Sequence, residues 1–270
     1  MTNRQVRPAP AVLATIAMLC VVAGVAACGS SSDPSDGGAS RPTTATGSGE
    51  LGTVIHHPVP LTLRRLPLTN QHGQHLTLNA WPGTTVLLVP FLTLCQDVCP
   101  LITGNLLAVE QSLKADHAAG KVEIVELTID PHRDTPARLA AYANLTHADW
   151  QLVTESPSTL HKLSKFFGFY FKKIAEEDPD ARDWWTGKPL TYDVDHTDNY
   201  FVIDPSGVER VVQDAAPDFH GKLNPKLYKF LDVLGRRHLN HPAQPDWTPT
   251  AVLNALAISV GMPLRPAELH

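Results

Sequence analysis

The alternation of apolar and polar positions along the chain predicts strands and helices that follow one another in turn. Short apolar runs, several rich in β-branched residues, predict strands, and segments whose apolar residues recur every three or four positions predict helices. The predicted strands cover residues 61–68, 75–78, 85–91, 122–129, 151–154, 200–203 and 208–212. The predicted helices cover residues 101–119, 135–143, 157–167, 223–234 and 252–262.

Turn signals connect some of these elements. Residues 70–73 (Asn-Gln-His-Gly) separate the first two strands, and residues 204–207 (Asp-Pro-Ser-Gly) separate the last two, so each pair predicts a β-hairpin. Strands that alternate with helices favour an α/β fold with helices on a mixed sheet. Residues 53–242 are long enough for one domain with a substantial core, and residues 243–270 follow as a C-terminal extension.

The N-terminal 28 residues have the pattern of a bacterial lipoprotein signal peptide. Arg4 and Arg7 precede an apolar run over residues 11–25, and Cys28 follows small residues as in a lipobox, so we expect Cys28 to carry lipid. Residues 10–27 would alternatively serve as an uncleaved membrane anchor. Residues 29–52, rich in Ser, Gly and Thr, predict a flexible tether. Both alternatives place the domain at the extracytoplasmic face of a bacterial cell membrane.

Charge narrows the classes of partner. The net charge is −5 at pH 7 and the chain has no basic block, which argues against nucleic acid. Outside the leader, no apolar stretch is long enough to cross a bilayer, and residues 252–262 therefore predict a packed helix.

The positions of the cysteines indicate which chemistry the domain can perform. Of four cysteines, Cys20 and Cys28 lie in the leader, which leaves Cys95 and Cys99 for the domain. They follow the strand at 85–91, and Pro100 is suited to begin a helix, whose positive end lowers thiol pKa values. Such a pair can exchange a disulfide or bind a soft ion such as Cu(I). A purely structural disulfide would close a very small loop and stabilise little.

Four segments together resemble the Sco/SenC family of membrane-tethered, copper-binding assembly factors for cytochrome c oxidase. The resemblance covers residues 61–234 and implies a thioredoxin-like fold with an N-terminal β-hairpin, a mixed central sheet and flanking helices. The four segments are residues 95–100 (CQDVCP), 128–136 (TIDPHRDTP), 195–197 (DHT) and 199–207 (NYFVIDPSG). Many relatives have Pro and His where this chain has Gln96 and Leu94, a difference that could tune the pKa and potential of the thiols.

The resemblance implies a copper site made of Cys95, Cys99 and His196. Asp195, beside the histidine, would either support the site from behind the ligands or restrain the loop. Two thiolates and one imidazole suit Cu(I), and with a further weak ligand Cu(II), whereas zinc usually takes a fourth ligand. The implied client is the CuA centre of cytochrome c oxidase subunit II, and other copper chaperones are possible partners. A metallochaperone is therefore the leading hypothesis.

Two alternatives remain open at this point. In a thiol–disulfide oxidoreductase, Cys95 would attack a partner disulfide and Cys99 would resolve the mixed disulfide. In a copper or redox sensor, metal binding would control docking of a partner.

The sequence also leaves the roles of two segments open. Residues 178–189 could form a partner surface or cover the core. Arg133 and Asp134 could have a functional role or form a salt bridge and a helix cap. His238 and His241 could bind metal adventitiously.

Overall fold

The computed structural model describes residues 51–267, and within them a mixed sheet of eight strands forms the centre of the fold. In sheet order the strands are β1 (Thr53–Pro58), β10 (Val208–Asp214), β9 (Asn199–Ile203), β4 (Thr85–Phe91), β5 (Val122–Thr128), β6 (Gln151–Thr154), β2 (Leu68–Asn70) and β3 (His75–Leu76). The central strands β4, β5 and β6 run parallel, β10 and β9 are antiparallel to each other, and the β2–β3 hairpin forms the far edge.

Helices connect and cover these strands. The longer ones are α2 (Cys99–Ala115), α3 (Pro136–Thr146), α4 (Pro157–Phe167) and α7 (Pro249–Val260), and the shorter ones are α1 (Leu61–Arg64), α5 (Pro225–Phe230) and α6 (Val233–His238). All seven residues of β4 are buried, as expected for a central strand covered on both faces. Because β4 and β5 run parallel, their carboxyl ends lie at the same edge of the sheet, where the chain turns into α2 and α3.

Two smaller pairs of strands lie outside the main sheet. β7 (Phe171–Ala175) and β8 (Tyr192–His196) form an antiparallel ribbon immediately before β9. β11 (Ala216–Pro217) and β12 (Asp246–Trp247) pair in parallel. The sequence pattern did not predict β1, β7 or β8. Most residues of β1 and β7 are exposed, and β8 buries only Tyr192 and Val194, so none of the three has a continuous apolar run.

Several predicted elements are confirmed, among them the strands at 85–91 and 151–154, the helix at 157–167 and both hairpins. The predicted strand at 61–68 is wrong, since Leu61–Arg64 form a helical turn and the strand begins at Leu68. The helix predicted over residues 101–119 ends earlier, at Ala115, and His117 beyond it adopts a positive φ of 54°.

The helix predicted over residues 223–234 is also wrong, because it is two short helices. Leu231 and Asp232 adopt extended backbone conformations between them, and the Asp232 side chain caps α6 by accepting a hydrogen bond from the Gly235 N–H at 2.7 Å. An N-cap residue has non-helical geometry, so Asp232 ends one helix and begins the next.

The C-terminal extension packs into the same core as the rest of the described chain. Val252, Leu253 and Leu256 on α7 are fully buried, and Trp247 contacts the ring of Tyr200 edge-on at 5.3 Å. No helix within residues 51–267 combines the length and apolarity required to span a bilayer. The predicted signal peptide, lipidation at Cys28 and nearly all of the tether lie outside the described residues.

Candidate metal centre

The two sulfur atoms lie on the turn between β4 and α2. The Cys99 N–H points at Cys95 Sγ at 3.4 Å, and the Leu92 N–H points at Cys99 Sγ at 3.5 Å. The N-cap residue Val98 has no side-chain acceptor for the free N–H groups of the first turn of α2. Cys95 Sγ instead accepts the hydrogen bond from the Cys99 N–H. Both thiols are free and buried, with Cys95 5% exposed and Cys99 fully covered.

His196 reaches this turn from the last residue of β8. Its Nε2 lies 3.7 Å from Cys99 Sγ, whereas Nδ1 faces the Thr197 carbonyl oxygen at 3.2 Å and an Asp198 carboxylate oxygen at 3.4 Å. This arrangement orients the ring and leaves Nε2 for a metal. Asp195 is exposed and lies opposite Lys172 on the ribbon, so the carboxylate beside the imidazole is that of Asp198.

The three donor atoms of Cys95, Cys99 and His196 lie within 4.8 Å of one another. That separation is about twice a metal–sulfur bond of roughly 2.3 Å, so one ion could contact all three donors after small movements. Among residues 51–267, no other group of three Cys, His or acidic side chains converges in this way. Two sulfurs and one nitrogen form a soft donor set, which fits copper.

The charges in the site are coupled. The hydrogen bond from Cys99 lowers the pKa of the Cys95 thiol well below its usual value, while burial and the Cys95 charge raise the pKa of Cys99. Burial alone would lower the pKa of His196, but the neighbouring Cys95 thiolate raises it to about 9. These shifts favour a Cys95 thiolate beside a Cys99 thiol and a protonated His196, and a metal that binds all three groups in that state must displace two protons.

Comparison with known proteins identifies the family. The SCO1/SenC family model matches residues 61–218, which include all three donors. This chain belongs to the SCO1/SenC family. A putative copper-binding protein of Stutzerimonas stutzeri is 27% identical over 158 residues, which are 58% of this chain and 72% of the relative. The SCO1 protein homolog of Bacillus subtilis (strain 168) is 24% identical over 166 residues, covering 60% and 78%.

Solved structures of the family show similar chains. Copper-bound ScoI of Bradyrhizobium japonicum is 26% identical, with a TM-score of 0.47, covering 65% of this chain and 99% of that one. Apo Sco1 of Thermus thermophilus is 26% identical, with a TM-score of 0.46, covering 60% and 85%. The predicted fold class is confirmed: this SCO1/SenC protein has an α/β fold with a mixed central sheet and flanking helices.

Asp134 holds the cysteine turn of this SCO1/SenC protein against β5. Its carboxylate accepts hydrogen bonds from the Thr93 N–H at 3.0 Å, from the Thr93 hydroxyl, and from the Thr128 hydroxyl at 2.6 Å. Burial raises the pKa of Asp134 to about 6 despite these hydrogen bonds. Thr135, rather than Asp134, caps α3, so the role of Asp134 is to fix the chain two residues before Cys95.

Arg133 connects the same loop to the ribbon that carries His196. It forms an ion pair with Asp130, donates to the Tyr192 carbonyl oxygen at 2.8 Å, and lies 3.7 Å above the Tyr192 ring. The Tyr192 hydroxyl in turn donates to Asp130 at 3.0 Å. Residues 130–134 therefore join the cysteine turn to the ribbon that carries His196.

The loop over residues 178–189 covers the core and also leaves one indole outside. Trp184 is buried, and its Nε1 donates to the Thr93 carbonyl oxygen at 2.6 Å. Asp183 accepts both arms of Arg138 at 2.7 and 2.9 Å, while Trp185 is 44% exposed. The loop thus helps to hold the chain just before Cys95.

A further contact, which the sequence pattern did not predict, lies between the cysteine turn and α6. His238 Nδ1 lies 2.6 Å from an Asp97 carboxylate oxygen, and the Asp232 N–H donates to the Gln96 carbonyl oxygen at 3.0 Å. Gly235 packs so closely that a Cβ there would lie 2.5 Å from that same carbonyl oxygen. No local motif links residues 141 positions apart, and α6 lies beyond the region that the family model matches.

Proposed function

We propose that this protein is a copper chaperone that binds copper through Cys95, Cys99 and His196 and delivers it to the CuA centre of cytochrome c oxidase subunit II. The observation that carries the proposal is the convergence of two sulfurs and one imidazole nitrogen within 4.8 Å. The names of the relatives support copper as the cargo, since one is a putative copper-binding protein and the Bradyrhizobium japonicum structure contains copper.

The charges of the free site suggest the order of binding. The Cys95 thiolate is ready to capture Cu(I), after which the Cys99 thiol and the His196 imidazolium each lose a proton to become ligands. Delivery would proceed by ligand exchange, in which thiolates and imidazoles of the acceptor replace those of the chaperone one at a time. Because His196 lies on the outlying ribbon, we expect it to leave first.

Location follows from the N-terminal sequence pattern. We propose that lipid on Cys28 anchors the chain at the extracytoplasmic face of a bacterial cell membrane, with residues 29–52 as the tether. An anchored chaperone would stay near a membrane-bound oxidase, and other copper chaperones would supply its cargo.

A thiol–disulfide oxidoreductase is the second candidate, favoured by the free, unequal thiols. The Cys95 thiolate would attack a disulfide of the client and form a mixed disulfide, releasing one client thiolate. Cys99 would then attack Cys95 Sγ, which forms the Cys95–Cys99 disulfide and releases the second client thiolate. The client gains two electrons and this protein loses two, so the same site could reduce the client cysteines before loading them.

Copper titration of the reduced protein with X-ray absorption tests the proposal. We expect one Cu(I) per chain with two sulfur neighbours and one nitrogen neighbour. Replacement His196→Ala should remove the nitrogen and lower Cu(I) affinity by about a hundredfold or more, since even groups behind the ligands contribute about 10- to 100-fold. His241→Ala, which changes an exposed histidine, is the matched control.

The same variants separate the two candidates. A chaperone should transfer Cu(I) to the apo copper domain of subunit II, and His196→Ala should impair this transfer while leaving dithiol exchange largely intact. Unchanged copper affinity in His196→Ala would show that the histidine is not a ligand. Turnover in a disulfide-reduction assay at controlled potential, without copper transfer, would favour the oxidoreductase.

A further inference from the structure

The outer surface of α5 and α6 has an unusual composition. Three large apolar side chains are exposed there, Val233 at 82%, Leu234 at 51% and Tyr228 at 50%. The other exposed side chains of these two helices beyond Pro225 are all cationic. We call this surface the basic face, and its members are Lys226, Tyr228, Lys229, Val233, Leu234, Arg236 and Arg237.

Within residues 51–267, none of the four cations of the basic face forms an ion pair with an acidic side chain. Arg236 instead donates to the Lys229 carbonyl oxygen at 3.4 Å and lies 6.0 Å from the Tyr228 ring. The one acid between the helices, Asp232, is occupied in capping α6. A chain with a net charge of −5 thus carries a local surface that attracts anions.

One of the two helices that carry the basic face, α6, packs against the cysteine turn with its opposite side. The inner side of α6 contacts that turn through Gly235, which lies against Gln96, and through His238, which pairs with Asp97. Since Cys95 is only 5% exposed and Cys99 is fully covered, an acceptor that exchanges ligands with these sulfurs must contact the elements that surround them. α6 is such an element.

We propose that the basic face is the docking surface for the protein that accepts copper from Cys95 and Cys99, and that this acceptor presents an acidic surface with an apolar centre. The proposal rests on the proposed function, because it assigns the partner of the same site. The exposed apolar side chains would be buried on docking, and the cations would guide the acceptor to the cysteine turn.

Two other occupants fit the observations less well. An anionic membrane would attract the same cations, but it would place lipid next to the turn from which copper leaves. A second copy of this chain, packed face to face, would bring the same four cations opposite one another at a cost in repulsion. Both occupants have distinct signatures and serve as outcomes of the test.

The test measures association with the apo copper domain of oxidase subunit II, using the chain from residue 29 onward, reduced and loaded with Cu(I). Lys226→Glu with Lys229→Glu reverses two charges of the basic face, and Val233→Ser with Leu234→Ser removes its apolar centre. The matched control is Lys162→Glu with Lys165→Glu, two exposed lysines on α4. Circular dichroism and Cu(I) affinity establish that each variant keeps its fold and metal site.

We expect the charge reversal to slow association by about tenfold or more at low salt and the control to stay within about twofold. Association of the unmodified protein should slow as sodium chloride is added. The serine variant should dissociate faster. The proposal would be overturned if the basic-face variants and the control had equal association and dissociation rates. It would also be overturned if the basic face bound only phosphatidylglycerol vesicles, or only a second copy of this chain, and not the subunit II domain.

Failure of the docking surface is distinguishable from failure of the proposed function. A protein that binds Cu(I) through two sulfurs and one nitrogen but does not use the basic face overturns only the docking proposal. A protein that lacks this copper centre overturns the proposed function itself.

Discussion

The two halves of the candidate site are held very differently. The cysteine turn lies in the interior, where every residue from Leu92 to Cys99 is buried except Asp97. It is hydrogen-bonded to Asp134, to Trp184 and to the segment around α6. His196 instead ends a two-stranded ribbon whose first strand is mostly exposed and whose strands pair only with each other.

This contrast indicates that the cysteine turn and the ribbon that carries His196 have different roles. Isolated two-stranded ribbons are marginally stable, so the ribbon depends on Tyr192 and Val194, which insert into the core, and on the contacts of Arg133. A rigid sulfur pair with a more loosely attached third ligand suits a site that must both bind an ion and release it. Weakening the buried cysteine turn could break this comparison, and titrating His196 could sharpen it.

The largest effect should come from Asp134→Ala. This change leaves the Thr93 N–H and the Thr93 and Thr128 hydroxyls without their buried acceptor, so we expect the free energy of unfolding to fall by about 3 kcal/mol or more. Asp195→Ala, an exposed acid on the ribbon, should change it by less than about 0.5 kcal/mol. Urea unfolding measures the free energy of unfolding of both variants. Similar decreases in the two variants would contradict the claim that the cysteine turn is held more firmly than the ribbon.

An intermediate effect concerns the pH dependence of copper binding. Because the imidazolium of His196, with a pKa of about 9, must lose its proton to bind copper, Cu(I) affinity should rise with pH. Between pH 6 and 8 the rise should be steeper than in His196→Ala by about tenfold per pH unit, equivalent to one proton. Competition with a chromophoric Cu(I) chelator measures this slope, and parallel slopes would show that His196 releases no proton on binding.

The smallest effect should come from His238→Ala, which removes the partner of Asp97 on the cysteine turn. The pair is partly exposed, so we expect the free energy of unfolding to fall by about 1 kcal/mol. The midpoint potential of the Cys95–Cys99 pair should also shift, since the turn that carries both thiols loses a contact. His241→Ala is the control. If His238→Ala matched this control in both the free energy of unfolding and the midpoint potential, α6 would not restrain the turn.

Local sequence signals were sufficient for some parts of the fold. The buried strand at 85–91, followed by two cysteines and Pro100, placed the sulfur pair on a strand-to-helix turn, because hydrophobic runs and helix starts are encoded by neighbouring residues. The same signals failed for residues 61–64 and 223–234, where apolar composition did not reveal a helical turn or the break at Asp232. They also missed the β7–β8 ribbon, because most of β7 is exposed and β8 buries only Tyr192 and Val194, so neither strand has a continuous apolar run.

The sequence by itself predicted the candidate donors and determined the family to which the chain belongs, since residue types and motif spacing are properties of the chain. Only the tertiary structure decided that His196 comes within 3.7 Å of a sulfur 97 residues away, that Asp134 supports the turn, and that Asp97 pairs with His238. The physical reason is that such contacts depend on how separate elements pack, and no local propensity encodes the distance between them.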